Sequence, residues 1–225
     1  MLTPLAPDVW SVQHAFSVNG LPITSRMTVV RLPGRQLWLH SPVPLSPALK
    51  LALAGLGQVA WLVAPSKVHH LFLADAMATY PHAQVWAAPG LAAKRPDLQG
   101  LLTLGEQPTP EAWAPVLSHQ LFEGIPLANE TVWFHAPSRT LILTDLCQWW
   151  PGELPWNSRL YAWLTGVRGQ MAVPHTVRWL VRDRAAARKS AERLLAWPCD
   201  KVVMAHQAVV ETQAHAQLRA ALTVF

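Results

Sequence analysis

Two adjacent histidines, His69 and His70, follow an apolar run in the segment Val59-Ala60-Trp61-Leu62-Val63-Ala64-Pro65-Ser66-Lys67-Val68-His69-His70-Leu71. The run reads as a buried strand and the apolar spacing from Leu71 to Thr79 as a helix, so the histidines fall in the loop between them. Asp145 follows the apolar run that starts at Thr140, and His206 follows Lys201 to Ala205, so three separate strands end in metal-capable side chains. Imidazole is the commonest protein metal ligand and a carboxylate adds a hard oxygen donor, which makes a divalent-ion site the chemistry to weigh. Each residue also has an ordinary reading. One histidine of an adjacent pair can cap the helix while the other packs, an aspartate at a strand end is common turn chemistry, and His206 can be a core histidine.

These residues need elements that bring their strand ends together. The first forty residues hold strand-like runs at Val9 to Gln13, Met27 to Leu32 and Gln36 to His40. Breaks at Asn19-Gly20 and Pro33-Gly34 suggest an antiparallel meander. Ser46-Pro47 reads as an N-cap with proline at the first helical position, opening a helix to about Leu56. Strand and helix then alternate: a strand from Val59, a helix over 71–79, a strand over Gln84 to Ala87 and a helical turn from Leu91 to Lys94. A second β region covers His119 to Leu121, Glu130 to His135 and Thr140 to Thr144. A Trp/Pro-rich excursion follows over about 149–175. Arg182 to Ala196 then reads as a helix ended by Pro198, Lys201 to Ala205 as a strand, and Ala208 to Leu222 as a closing amphipathic helix. No solenoid repeat and no dividing linker is present, so a single domain over 1–225 is expected.

Composition narrows the class. A chain of 225 residues that is 51% hydrophobic can bury a sizeable core. The two cysteines, Cys147 and Cys199, lack the paired spacing of a disulfide framework or a thiolate zinc site and suit a reducing cytoplasm. No signal-peptide pattern and no membrane-length apolar run occurs, so a cytoplasmic protein with no membrane partner is expected. The net charge of +5 is scattered apart from Arg182, Arg184, Arg188, Lys189 and Arg193, which read as a solvated helix face rather than a nucleic-acid surface. There is no Gly-x-Ser-x-Gly elbow, phosphate loop or dinucleotide glycine fingerprint.

The order of these elements and strand ends resembles the metallo-β-lactamase superfamily over most of the chain. The resemblance implies an α/β (α+β) fold, a four-layer αββα β-sandwich. The family's strand-to-helix loop carries His-x-His-x-Asp-His, a later strand ends in an aspartate and a short late strand in Gly-His. Here the matching segments are Pro65-Ser66-Lys67-Val68-His69-His70, Leu143-Thr144-Asp145 and Met204-Ala205-His206. By this resemblance His70, Asp145 and His206 match ligands, and His69 stands where the motif has its aspartate. Pro65 and Lys67 replace the first two motif histidines, and no intermediate Gly-His segment appears in Gly124 to Glu130. One of the two family metal positions has thus lost its ligands. The remaining set, His69, His70, Asp145 and His206, would form a four-ligand site for zinc, with iron and manganese as alternatives. Leu39-His40-Ser41 aligns with the strand end whose aspartate supports the metal loop, which makes His40 a supporting residue or an extra ligand. Lys67 either fills the empty metal position with its own charge or serves as a general base. Glu130 is the other carboxylate that could turn inward, as a supporting residue or an extra ligand, although Asn129-Glu130 also reads as a polar strand edge. The closer likeness is to a divergent bacterial branch that carries a domain of unknown function. It rests on Ser41-Pro42-Val43-Pro44-Leu45, on Ala64 to Phe72 and on Pro137 to Asp145.

Two functional readings follow. The first is a single-metal hydrolase acting on an ester, thioester, lactone or phosphoester of a small molecule, with Asp145 and Lys67 as catalytic candidates and the Trp149 to Trp163 segment as a substrate wall. The second is a catalytically silent binding protein that keeps the fold. A homo-oligomer is compatible with both, because the tryptophan-rich segment also suits a subunit surface.

Overall fold

The computed structural model describes residues 1–225. Strands β1 (Thr3–Ala6), β2 (Val9–Val18), β3 (Leu21–Leu32) and β4 (Gln36–His40) pair as antiparallel neighbours. The β2–β3 hairpin turns on Asn19 and Gly20, both with positive φ (50° and 78°), as a two-residue turn between twisted strands requires. The Ser46 hydroxyl then accepts the Leu49 amide at 3.2 Å and opens α1 (Pro47–Leu56). Crossovers through α1, α2 (Leu73–Thr79) and α3 (Leu91–Lys94) add β5 (Gln58–Ala64), β6 (Gln84–Ala87) and β7 (Leu101–Thr103), each parallel to the strand before it, beyond β4. The result is a seven-stranded sheet in the order β1-β2-β3-β4-β5-β6-β7.

The second sheet has five strands in the order β12-β11-β10-β9-β8. These are β8 (Leu117–Leu121), β9 (Thr131–His135), β10 (Thr140–Ile142), β11 (Lys201–Val203) and β12 (Val209–Val210). Helices α4 (Trp156–Leu164), α5 (His175–Trp179) and α6 (Arg184–Leu195) lie in sequence between β10 and β11, and α7 (Ala214–Leu222) follows β12. Strands β1, β7 and β12 are additions to the expected pattern. The closing helix starts at Ala214 rather than Ala208 because Val209 and Val210 pair antiparallel with Val203 and Val202. At two residues, β12 is too short for a period to register.

Strand alternation divides the core into layers. On β4, β5 and β6, Leu37, Leu39, Leu62, Ala64, Val85 and Ala87 pack with Leu49 and Leu53 of α1 and Leu73 of α2. The opposite faces carry Trp38, Trp61, Val63 and Trp86, which meet Trp133 of β9, Ile142 of β10 and the loop residue Trp113 between the sheets. On the far side, Val132, Phe134 and Leu141 pack against Ala187, Ala191 and Leu194 of α6 and Leu218 and Leu222 of α7. The stack is therefore helix, sheet, sheet, helix. Trp113 is the hub between the sheets, with ring centroids 4.9, 5.3 and 5.4 Å from Trp86, Trp61 and Trp133 in edge-to-face geometry. The indole N–H groups of Trp38, Trp86, Trp113 and Trp133 find no hydrogen-bond acceptor, a cost that the edge-to-face contacts offset only in part.

Parallel pairing sets the positions of the candidate residues. Strands β4 and β5 run parallel, as do β10 and β11, so the C-terminal ends within each pair open on one edge. Ile142 is the register partner of Val203, so Asp145 and His206 lie the same three residues beyond paired positions. Between the sheets, the Thr131 amide donates to the Pro65 carbonyl at 2.7 Å and ties the histidine loop to the start of β9.

The tight passage from α1 into β5 depends on Gly57, where a Cβ would run into the Arg35 carbonyl, whereas a Cβ at Gly55 meets nothing. Gly57→Ala should therefore lose about 1–3 kcal/mol in urea unfolding by overpacking. Gly55→Ala should be neutral or gain up to about 1 kcal/mol from helix propensity. Loss of stability in both variants would contradict this placement.

His40, 1% exposed and stacked on Trp38 at 5.2 Å, titrates far from its ordinary range. Burial, aided by the charge of His69, pushes it down to about 3. The unfolded chain takes up this proton near pH ~6.5 and the folded chain near 3. The stabilising contribution is thus present above that unfolded value and is lost as pH falls through the window. Between pH 6 and 4, urea unfolding of His40→Leu should show a pH slope shallower than the parent's by up to ~1.4 kcal/mol per pH unit. Equal slopes would contradict the buried neutral state.

Candidate metal centre

At the shared edge of the two sheets, three residues converge: His69 beyond β5, Asp145 beyond β10 and His206 beyond β11. Their ligand atoms all lie within 4.8 Å of one another. Asp145 sits between the two rings, with Oδ2 3.1 Å from His69 Nε2 and Oδ1 3.1 Å from His206 Nε2. The ring centroids of His69 and His206 are 5.3 Å apart.

Each of the three is held by neighbours. The Ser66 hydroxyl accepts the Val68 and His69 amides at 3.3 and 3.1 Å, which curls the loop after β5 so that His69 turns inward. His69 Nδ1 lies 2.9 Å from the Ser41 hydroxyl, at the end of β4. Ser41 adopts a left-handed backbone (φ 54°), uncommon for a residue other than glycine, where the chain leaves the sheet. Asp145 is positioned by Glu130, whose two carboxylate oxygens accept the backbone amides of Thr144, Asp145 (2.8 Å) and Leu146 (2.8 Å). Gln148 donates from Nε2 to Asp145 Oδ1 at 3.0 Å, and its own amide is oriented by Trp150, whose indole N–H donates to Gln148 Oε1 at 3.0 Å. His206 Nδ1 donates to the Thr24 carbonyl of β3. Buried Arg26, also on β3, clamps the same segment by donating to the carbonyls of Met204 (2.9 Å) and Gln207 (2.6 Å).

The electrostatics follow from this wiring. Burial opposes ionisation of Asp145, but the charge of His69 and the hydrogen bonds of His206 and His69 hold it well below the usual carboxylate range. Burial also works against a charged His206, yet the hydrogen bond and charge of Asp145 outweigh it and raise its pKa. Glu130 is raised by burial, against the opposing pull of the amides it accepts.

The donor set fits a divalent ion. A carbonyl can only accept, so Nδ1 of His206 must carry a proton, and in the neutral ring the Nε2 lone pair then faces Asp145 Oδ1. Two lone pairs at that distance repel unless a cation, either a proton or a metal ion, lies between them. Histidine ligands are commonly fixed in their tautomer by a partner on the other ring nitrogen, as Thr24 does here.

The other sequence candidates lie around this group without joining it. His70 stays outside the group: its Nδ1 faces the Arg95 guanidinium at 3.0 Å, and burial, together with Lys94 and Arg95, lowers its pKa. The adjacent pair points in two directions, and the inward position falls to His69. Lys67 donates from Nζ to the Pro126 carbonyl at 2.6 Å and so is committed to a loop rather than to a vacant ligand position. His40 makes no hydrogen bond to the three, and the contact expected of it is made by its neighbour Ser41. Glu130 lies beneath the Asp145 turn. Of the tryptophan-rich segment, Trp150 is buried 6.3 Å from the His206 ring, whereas Trp156 and Trp163 line a separate surface groove with Arg159 and Arg168. Thr24 acts through its backbone carbonyl, so no residue type marks it in the sequence. Arg26 was detectable as a lone charge beside an apolar strand run, and Gln148 had no motif to mark it.

Beside the three residues opens a cavity of about 270 Å³. Its walls are Phe16, Val18 and Ile23 from the β2–β3 hairpin and Val68, Leu71 and Phe72 from the loop after β5. Phe72 is held edge-on against Phe16 and His14, at 5.9 and 5.4 Å, so the hairpin and the loop form a fixed wall.

Two packed sheets with flanking helices and a strand-end His/Asp/His group define a metallo-β-lactamase fold, and solved structures agree. The chain is similar to a metallo-β-lactamase from Erythrobacter litoralis (15% identity, TM-score 0.66, covering 100% of this chain and 96% of that one). It is also similar to one from Hirschia baltica (13%, 0.60, 100% and 96%). FIM-1 from Pseudomonas aeruginosa, solved in its mono-zinc form, matches at 11% identity and a TM-score of 0.62, over 99% of this chain and 94% of that one. At such identities the likeness is one of fold. The chain belongs to the DUF4336 family, a domain of unknown function, whose profile matches residues 7–155. That segment contains His69, Glu130 and Asp145 but not His206. No curated protein matches in sequence.

Because Glu130 holds the turn through acceptor oxygens alone, Glu130→Gln turns an NH2 group towards a backbone amide. It should cost about 1–3 kcal/mol in urea unfolding. The circular dichroism spectrum should remain that of the parent. Parent-like stability would show that the turn does not rely on this carboxylate.

Proposed function

We propose that the protein is a single-metal hydrolase of small ester-type substrates, with the ion held by His69, Asp145 and His206. The observation that carries this reading is the His206 tautomer. Thr24 fixes the Nδ1 proton, which leaves Nε2 as a lone-pair donor towards Asp145 Oδ1, within a group whose ligand atoms span no more than 4.8 Å. Three protein ligands leave coordination positions open, as catalytic sites require, whereas a fourth from His70 would close a tetrahedral site. Zinc suits the two imidazoles and one carboxylate. Iron(II) and manganese accept the same set.

Bound there, the ion would supply a Lewis acid for a carbonyl or phosphoryl oxygen and a means of acidifying water. The residues supply the rest. Ser41 and Thr24 hold the two imidazoles in place, and Gln148 with Glu130 keeps the Asp145 carboxylate between them. Asp145, held well below the usual carboxylate range, stays ionised to hold the ion and orient a water molecule. The apolar hairpin and loop exclude bulk water from one side of the cavity.

A silent binding protein remains the competing reading, supported by the raised His206 and the lowered Asp145, which can neutralise each other as an imidazolium–carboxylate pair without an ion. Metal analysis separates the two. Untagged protein supplied with zinc, iron(II) or manganese should retain about one ion per chain. His69→Ala and His206→Ala should each lose it, and His70→Ala should keep it. A metal-free parent under all three supplies would leave the binding-protein reading.

A further inference from the structure

The walls of the cavity beside His69, Asp145 and His206 carry information on the substrate. Phe16, Val18, Ile23, Val68, Leu71 and Phe72 supply an apolar surface, and no lysine or arginine lines the space. The cations nearest the loop already have protein partners and do not line the space. Lys67 Nζ donates to the Pro126 carbonyl and Lys94 Nζ to the Lys67 carbonyl, each at 2.6 Å, while Arg95 grips Asp97 through two hydrogen bonds of 2.6 and 2.8 Å. A phosphoester brought into this space would give up its hydration without an Arg or Lys clamp to replace it. The volume of about 270 Å³ lies near the lower end of small-molecule sites and suits a compact body, one ring or a short chain.

Beside the hydroxyls of Ser25 and Ser41, the lining holds a ring donor oriented by a neighbour. A guanidinium can only donate, so Arg95 Nη1, at 3.0 Å, makes His70 Nδ1 an acceptor and places the proton of the neutral ring on Nε2. His70 lines the cavity, and its Nε2 makes no hydrogen bond within the protein. We infer that the site takes uncharged carboxylic esters, thioesters or lactones with a compact apolar body and discriminates against phosphoesters, and that His70 Nε2–H binds an oxygen of the substrate. This inference rests on the hydrolase reading for its chemistry, while the choice of ligand belongs to the walls and can be measured without an ion.

The test compares two probes on the same metal-free protein by titration calorimetry. One is 1-phenyl-2-butanone, the ketone isostere of methyl phenylacetate, and the other is phenyl phosphate. The parent should bind the ketone at least about tenfold more tightly than the phosphate, reflecting the missing clamp. Leu71→Arg, at a rim position 58% exposed where folding is not at stake, should narrow or reverse that ratio. His70→Ala should weaken ketone binding about 3- to 10-fold, and His70→Gln, which restores an N–H donor, should recover part of it. With metal supplied, methyl phenylacetate should be hydrolysed in preference to phenyl phosphate. Equal or tighter binding of phenyl phosphate by the parent, or binding of neither probe, overturns the inference. Ketone preference in a protein that takes up no metal would instead refute the hydrolase reading and leave the ligand assignment standing.

Discussion

The site depends on one buried carboxylate that supports the group from outside it. Glu130, 3% exposed, precedes β9 and receives the three successive amides of Thr144, Asp145 and Leu146. A charge at that depth is tolerated only when its oxygens are fully used, and three converging backbone donors use them. Because those donors belong to the turn after β10, the same contacts that stabilise the buried charge fix the Asp145 backbone. The neighbouring Thr131 amide binds the Pro65 carbonyl of the other sheet, so a single short segment ties the Asp145 turn to the His69 loop.

The third corner is set from a different direction. His206, beyond β11, lies in register with Asp145, beyond β10, but its ring is fixed by β3, through the Thr24 carbonyl and the Arg26 clamp on Met204 and Gln207. Both sheets therefore hold the group, and neither could form it alone. Five tryptophans pack between the sheets, so the distance across the sandwich, and with it the spacing of the His/Asp/His group, is set by large rigid side chains.

Much of this was legible in the sequence, and the gaps have physical causes. The strand ends at His69, Asp145 and His206 were recognisable because each closes an apolar run, and the Ser46-Pro47 cap and the Asn19-Gly20 turn carry their own chemistry. Which histidine of the 69–70 pair faces inward was not legible, because it depends on the curl imposed by Ser66 and on an arginine twenty-five residues further on. Lys67 and His40 were drawn towards the ions by motif position, whereas the structure gives Lys67 a carbonyl partner and His40 a stack on Trp38. Supports that act through backbone atoms, such as the Thr24 carbonyl, leave no trace in residue types.

The central claim is that a cation belongs between His206 Nε2 and Asp145, in a group completed by His69. Anomalous diffraction at the zinc edge, from crystals grown with zinc, addresses it directly. The account predicts a single anomalous peak within bonding distance, about 2.0–2.2 Å, of His69 Nε2, His206 Nε2 and an Asp145 oxygen, with His70 still turned to Arg95. A peak at His70 or elsewhere, or an undisturbed Asp145–His206 pair in the presence of zinc, would contradict it.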